Sequence, residues 1–250
     1  LSEPDSVVAH VREHAPDLVV NAAAYTAVDK AETEPNLADA INARAPGAMA
    51  AACAGAKIPL VHYSTDYVFD GSASTPYRES APVSPRSVYG RGKLAGEQAV
   101  AQATDQHVIL RTAWLYSHVG HNFVKTMLRL AAEGKPVRVV GDQMGSPTYA
   151  WDLAQASVAV VEALAQGRDD IYGIFHATNA GVTSWHGFAE RIFDLAGYDD
   201  VELVAISTDE YPTPAPRPAY SVLCCDRLQE VFGVTLPEWP DALARCIERL

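Results

Sequence analysis

The sequence predicts an α/β protein built on a doubly wound parallel sheet, with a smaller α/β unit attached. Three observations carry this. Between residues 17 and 111, short apolar runs alternate with helical segments in the order β-α-β-α-β. The run Ile58-Pro59-Leu60-Val61-His62-Tyr63 reads as a buried parallel strand that halts where polar residues begin, and an open α/β sheet binds its ligands at the carboxyl ends of its strands. Finally, 250 residues with 48% apolar content can bury a sizeable core, as one large domain or two small ones.

Ser2-Glu3-Pro4-Asp5 signals a helix start, and Val7, Val8 and Val11 give that helix an apolar stripe. Residues 17–21 read as a short strand. The small residues after it, Ala22-Ala23-Ala24-Tyr25-Thr26, either admit a flat ligand to the backbone or pack a strand tightly on a helix. Residues 37–54 form an Ala-rich helix, with Gly55 as its terminator. Ser84-Pro85 and Ser87 supply a helix start, and residues 88–103 are mostly good helix formers. A strand over 107–111 follows. After Trp114 the pattern loosens: helices over 122–133, 151–164 and 184–196, strands over 137–140, 171–177 and 201–206, a Pro-rich loop over 207–218, and closing helices over 226–232 and 241–250.

The net charge of −12 disfavours nucleic-acid and anionic-membrane partners. No apolar run approaches the ~20 residues that span a bilayer. There is no basic, signal-like opening, so a cytoplasmic protein is expected. Cys53, Cys224, Cys225 and Cys246 have no metal spacing, and the adjacent pair reads as reduced strand residues. No residues read as a catalytic metal site.

The chemistry is concentrated between Ser64 and Glu97. Tyr89 and Lys93, four apart on one helix, stack on a single face. A phenol and an ammonium facing a hydroxyl at a strand end make a proton-donating device. An ammonium beside the phenol is expected to bring the Tyr89 pKa down toward working pH. His62 and His176 end apolar strands and read as packed or polar-network histidines.

Several stretches together, Ser64-Thr65-Asp66-Tyr67-Val68-Phe69, Pro76-Tyr77, Tyr89-Gly90-Arg91-Gly92-Lys93 and Leu94-Ala95-Gly96-Glu97, carry a resemblance to a known family. So do Asn21-Ala22-Ala23-Ala24-Tyr25-Thr26, Arg111-Thr112-Ala113-Trp114, Asn122-Phe123, Asp142-Gln143, Pro147-Thr148 and Thr183-Ser184-Trp185. Over nearly its whole length the chain resembles the extended short-chain dehydrogenases/reductases, most of all their dTDP-4-dehydrorhamnose reductase branch. The resemblance implies a Rossmann-like nucleotide domain, residues 1–118 plus about 148–180, and a substrate domain, about 119–147 plus 181–250. It implies NADPH, with NADH as the alternative, reducing the C4 ketone of a dTDP-sugar, dTDP-4-dehydro-L-rhamnose, to dTDP-L-rhamnose. Tyr89 would donate the proton, Lys93 would tune it and hold the nicotinamide ribose, and Thr65 would hold the carbonyl oxygen. Ala24, Tyr25, Thr26 and Tyr63 would join Tyr89 and Lys93 around the cofactor. Asp66, Tyr67, Trp114 and Arg217 would join Thr65 around the substrate, with Arg217 gripping the diphosphate. A homodimer, and a structural magnesium of the kind some members place at a dimer interface, are left open.

Two other readings have a place. Sugar-nucleotide 4,6-dehydratases share Thr-Asp but follow it with a glutamate, where this chain has Tyr67. The regulatory β subunit of methionine adenosyltransferase has the same fold and similar motifs without being an enzyme. Another sugar-nucleotide reductase or epimerase is a further alternative. No G-x-x-G-x-x-G segment occurs, and Gly90-Arg91-Gly92 lies inside the Tyr89 helix. The resemblance therefore implies about 40 further residues in front, an estimate from the usual span of the glycine-loop unit and the next strand. A polypeptide of these 250 residues alone is expected to bind NADPH feebly, catalyse little and expose its first strand as an edge.

Overall fold

In the computed structural model, which describes residues 1–168 and 170–250, the apolar runs of the first half assemble into one parallel sheet. Helix α1 (Pro4–His14) precedes strand β1 (Val19–Asn21), and a short helix α2 (Val28–Ala31) follows. Next comes α3 (Pro35–Asp39), which passes through a π-helical stretch (Ala40–Arg44) into α4 (Ala45–Ala56). Strand β2 (Leu60–Thr65), helix α5 (Val88–Ala103) and strand β3 (His107–Thr112) complete the first half. The second half holds β4 (Leu115–Tyr116), α6 (Phe123–Ala132), β5 (Val137–Val140), β6 (Met144–Gly145), β7 (Thr148–Tyr149) and α7 (Ala150–Ala165). It closes with β8 (Gly173–His176), β9 (Thr183–Ser184), α8 (Trp185–Ala196), β10 (Leu203–Ile206), α9 (Asp226–Phe232) and α10 (Trp239–Ile247).

The sheet order is β1-β2-β3-β8, all parallel. Its residues alternate between two cores, as the period of two requires. Val61, Val108, Leu110 and Phe175 face α7 and α9, packing on Leu153, Val160 and Leu228. Leu60 and Ile109 face the other way, onto Val7, Val11, Met49 and Val100 of α1, α4 and α5. A separate core forms where α6, α8 and α10 enclose Val124, Met127, Phe188, Ile192 and Leu243 around β5 and β7. Leu228 and Leu236 pack on the sheet although they lie late in the chain.

Two boundaries differ from the sequence reading, each for a physical reason. Strand β2 does not halt at Tyr63. Its pairing with β3 continues through Ser64↔Arg111 to Thr65↔Thr112, so the ladder carries Thr65 to the carboxyl edge. Gly55 does not terminate the Ala-rich helix; it lies inside α4, and Lys57 takes the left-handed cap conformation at φ 57°. Helix α5 begins as expected, with the Ser87 side chain accepting from the Gly90 amide at 3.0 Å.

Glycines inside α5 trade helix propensity for close approach. A Cβ at Gly96 would stand 2.1 Å from the Asn42 carbonyl oxygen, and one at Gly90 would stand 2.4 Å from that of Tyr67. Asn42 also clamps the Tyr25 backbone, accepting from its amide at 2.8 Å and donating to its carbonyl at 2.9 Å. Gly96→Ala should therefore destabilise the fold by about 1–3 kcal/mol, although alanine is the better helix former. Urea unfolding tests this; an unchanged or raised midpoint would mean that the helices separate freely.

Candidate functional site

The carboxyl ends of β2 and β3 open into a cavity of about 440 Å³. Thr65 ends β2 and starts a single 3₁₀ turn (Asp66–Val68), its Oγ1 accepting from the Tyr67 amide at 3.2 Å. The same hydroxyl donates to Asp66 Oδ1 at 3.0 Å. Tyr89 and Lys93 reach the cavity from the first two turns of α5, across from Ala22, Ala24 and Thr26 after β1. Trp114 closes a further side.

Burial sets the electrostatics. Lys93 is almost fully buried, its ammonium donating to the Tyr63 carbonyl at 2.6 Å. Desolvation pulls its pKa down to about 8, opposed by the nearby Glu97 carboxylate. The Tyr89 phenol moves the opposite way from the sequence expectation. Burial pushes it up to about 12, the Thr65 hydroxyl beside it pulling down and the Asp66 carboxyl pushing further up. In this arrangement the ammonium serves a backbone carbonyl, and Tyr89 stays protonated at neutral pH, the state a proton donor needs. Asp66 is buried and raised to about 6, chiefly by desolvation. One turn beyond Lys93, Glu97 forms a buried bidentate pair with Arg111 of β3, at 2.9 and 2.7 Å. His62 and His176 are buried; His62 Nδ1 meets the Asn21 amide at 3.0 Å, and burial with the Arg111 charge holds His176 down to about 3.

A second cavity, about 570 Å³, adjoins the first at Tyr67, which lines both. Arg217 lines it together with Asp29, Phe123, Gln143 and Trp185. Its guanidinium pairs with Asp29 Oδ2 at 2.8 Å, and the same carboxylate accepts from the Ala215 amide at 3.2 Å. Trp114 and Trp185 stack at 3.6 Å between ring centroids, 7° from parallel, joining the walls of the two cavities. Trp114 has φ 49°, a left-handed backbone uncommon outside glycine, so its ring is held by its surroundings. Gly145 is one of them: a Cβ there would stand 2.4 Å from the indole.

The structure thus brings Ala24, Thr26, Tyr63, Thr65, Asp66, Tyr67, Tyr89, Lys93 and Trp114 around one cavity and puts Arg217 in the adjoining one. Tyr25 stands apart from both linings: its hydroxyl donates to Glu34 at 2.7 Å. Sequence reading missed Asp29, Phe123, Gln143 and Trp185 as wall residues. For Phe123, Gln143 and Trp185 a signal existed, since each lies in a stretch that carries the resemblance. Asp29 pairs with a residue 188 positions away, a contact that no local pattern marks.

A nicotinamide cofactor fits the first cavity on two observations. Small side chains flank it, and two buried hydroxyls on its wall, Ser64 Oγ and Thr112 Oγ1, have no hydrogen-bond partner. Among the described residues, no group of three or more His, Cys, Asp or Glu could hold a metal ion. No helix among them is long and apolar enough to cross a membrane.

Comparison with known proteins gives the family. The family model described as RmlD substrate binding domain matches residues 1–250. A dTDP-4-dehydrorhamnose reductase of Sinorhizobium fredii is 47% identical over 97% of this chain and 83% of its own. The crystal structure of a dTDP-4-dehydrorhamnose reductase from Clostridium acetobutylicum superposes with a TM-score of 0.92, at 42% identity over 99% of this chain and 85% of that one. A Bacillus anthracis dTDP-4-dehydrorhamnose reductase in complex with NADP gives 0.91, at 38% identity over 100% and 86%.

Proposed function

Since the chain belongs to the dTDP-4-dehydrorhamnose reductase family, we propose that it reduces the C4 ketone of dTDP-4-dehydro-L-rhamnose to dTDP-L-rhamnose with NADPH, using Tyr89, Lys93 and Thr65. The observation that carries the reading is the convergence of Thr65 on β2 with Tyr89 and Lys93 on α5 at one cavity. NADPH supplies the hydride. Lys93, Tyr63 and the small residues Ala24 and Thr26 hold the cofactor's nicotinamide half, and Ser64 and Thr112 offer unpaired hydroxyls to it.

The ketone oxygen becomes an alkoxide, and Tyr89, half-buried and protonated, gives it a proton. Thr65 holds that oxygen in line, and Lys93 steadies the phenolate that remains. Trp114 and Tyr67 form walls for the sugar, with Asp66 at its edge. Arg217 reaches the diphosphate from the second cavity, its planar fork suited to phosphate oxygens and its orientation set by Asp29.

This reading places residues 1–118 and about 148–180 in the nucleotide domain, and about 119–147 and 181–250 in the substrate domain. Its net charge of −12 disfavours nucleic-acid and anionic-membrane partners, and the protein is assigned to a reducing cytoplasm on four cysteines without metal spacing or a disulfide. Tyr67 cannot do the work of the dehydratase glutamate. The full chain should therefore oxidise NADPH with dTDP-4-dehydrorhamnose and leave dTDP-glucose untouched. Formation of a 4-keto-6-deoxy product from dTDP-glucose would overturn the assignment.

A further inference from the structure

Thr65 has one hydroxyl hydrogen, and the structure commits it to Asp66 Oδ1 at 3.0 Å. The Thr65 oxygen meanwhile accepts from the Tyr67 amide. With that hydrogen committed, Thr65 has nothing to donate to a substrate oxygen or to the Tyr89 phenolate left after proton transfer. Asp66 itself is 2% exposed, and its Oδ2 is buried without a hydrogen-bond partner. Among the described residues no cation pairs with it. Lys93 is turned to the Tyr63 carbonyl and Arg217 to Asp29. The groups that face Asp66 are the hydroxyls of Thr65 and Ser221, its own and the Tyr67 amides, and the phenols of Tyr67 and Tyr89, both of which its charge pushes up.

We infer that Asp66 serves the reduction as a neutral carboxylic acid, whose own hydrogen goes to Thr65 and frees the Thr65 hydrogen for the ketone oxygen and then the Tyr89 phenolate. Asp66 is therefore a positioning residue for Thr65. Protonation reverses the bond between the two side chains: the carboxyl O–H donates to Thr65 Oγ1, which can still accept from Tyr67, and the Thr65 O–H turns toward Tyr89. No proton is gained or lost by Asp66 during turnover. The neutral form also removes a negative charge that opposes phenolate formation on Tyr89. Burial has already raised the Asp66 carboxyl to about 6. Because this lies above its ordinary value of 3.8, the folded protein binds the extra proton between those pH values. Its contribution to stability is full below 3.8 and is lost as pH rises through about 6.

The inference rests on the reductase reading, and two measurements keep the two separable. The first needs no turnover: in the full chain carrying ¹³C-labelled aspartate, the Asp66 carboxyl signal, assigned by its absence from Asp66→Asn, should titrate near pH 6. A carboxyl already ionised at pH 5 overturns the proposal. The second is the pH profile of kcat. In the parent it should fall roughly 10- to 100-fold as Asp66 ionises, the usual worth of a hydrogen bond to a charged group. Asp66→Asn, whose amide donates permanently to Thr65, should lose that fall and turn over faster than Asp66→Ala at every pH. An Asp66→Asn enzyme as slow as Asp66→Ala at every pH would mean that the carboxylate itself is needed, and would overturn the proposal.

Discussion

Tyr89→Phe is expected to lower kcat by roughly 10²–10⁴-fold while leaving the NADPH Kd and the unfolding midpoint close to those of the parent. The substitution removes one oxygen and no packing surface. The ring keeps its edge-on contact with Tyr67, with centroids 5.7 Å apart and planes at 82°. What disappears is the phenol that stands beside the Thr65 hydroxyl on the Lys93 face of α5. Steady-state rates on the folded variant, with cofactor affinity measured separately, test this. A kcat within threefold of the parent would remove Tyr89 from the mechanism.

The largest stability effect is expected behind the site. Arg111→Met leaves the Glu97 carboxylate buried and unpaired, and breaking a buried ion pair from one side costs about 3–5 kcal/mol. For a chain of this size that lowers Tm by roughly 10 °C. The Arg111 guanidinium also lies 5.2 Å over the Phe69 ring, so its loss removes packing as well as charge. The double variant Arg111→Met/Glu97→Leu should recover most of the loss, because neither member of the pair is then left buried without its partner. Thermal unfolding of parent, single and double variants reads this directly. A double variant less stable than the single one would show that the pair contributes net stability.

The legible part of this protein is the part specified locally. Helix α5 is readable because Ser87 caps it and its residues favour helix, so the Tyr89/Lys93 face follows from spacing alone. The parallel strands are readable as apolar runs because helices cover both faces of the sheet. What sequence could not give is set by partners far along the chain. The Tyr89 phenol was expected to be pulled down by Lys93, but the ammonium finds the Tyr63 carbonyl 30 positions away and burial dominates instead. The second cavity exists because the Asp29–Arg217 pair and the Trp114–Trp185 stack bring distant loops together. Lys57, a non-glycine left-handed cap, gave no residue-type signal, and Gly55 gave a misleading one.

The central claim is that hydride reaches C4 of the sugar at the Thr65/Tyr89/Lys93 cavity. Its most direct test is to incubate the full chain with NADPH deuterated at the transferable position and dTDP-4-dehydrorhamnose, then locate the label by NMR. The account predicts one deuterium at C4 of dTDP-L-rhamnose for each NADPH consumed, and roughly 10²–10⁴-fold slower labelling with Tyr89→Phe. Deuterium at another carbon, or NADPH consumed without a labelled sugar, would contradict it.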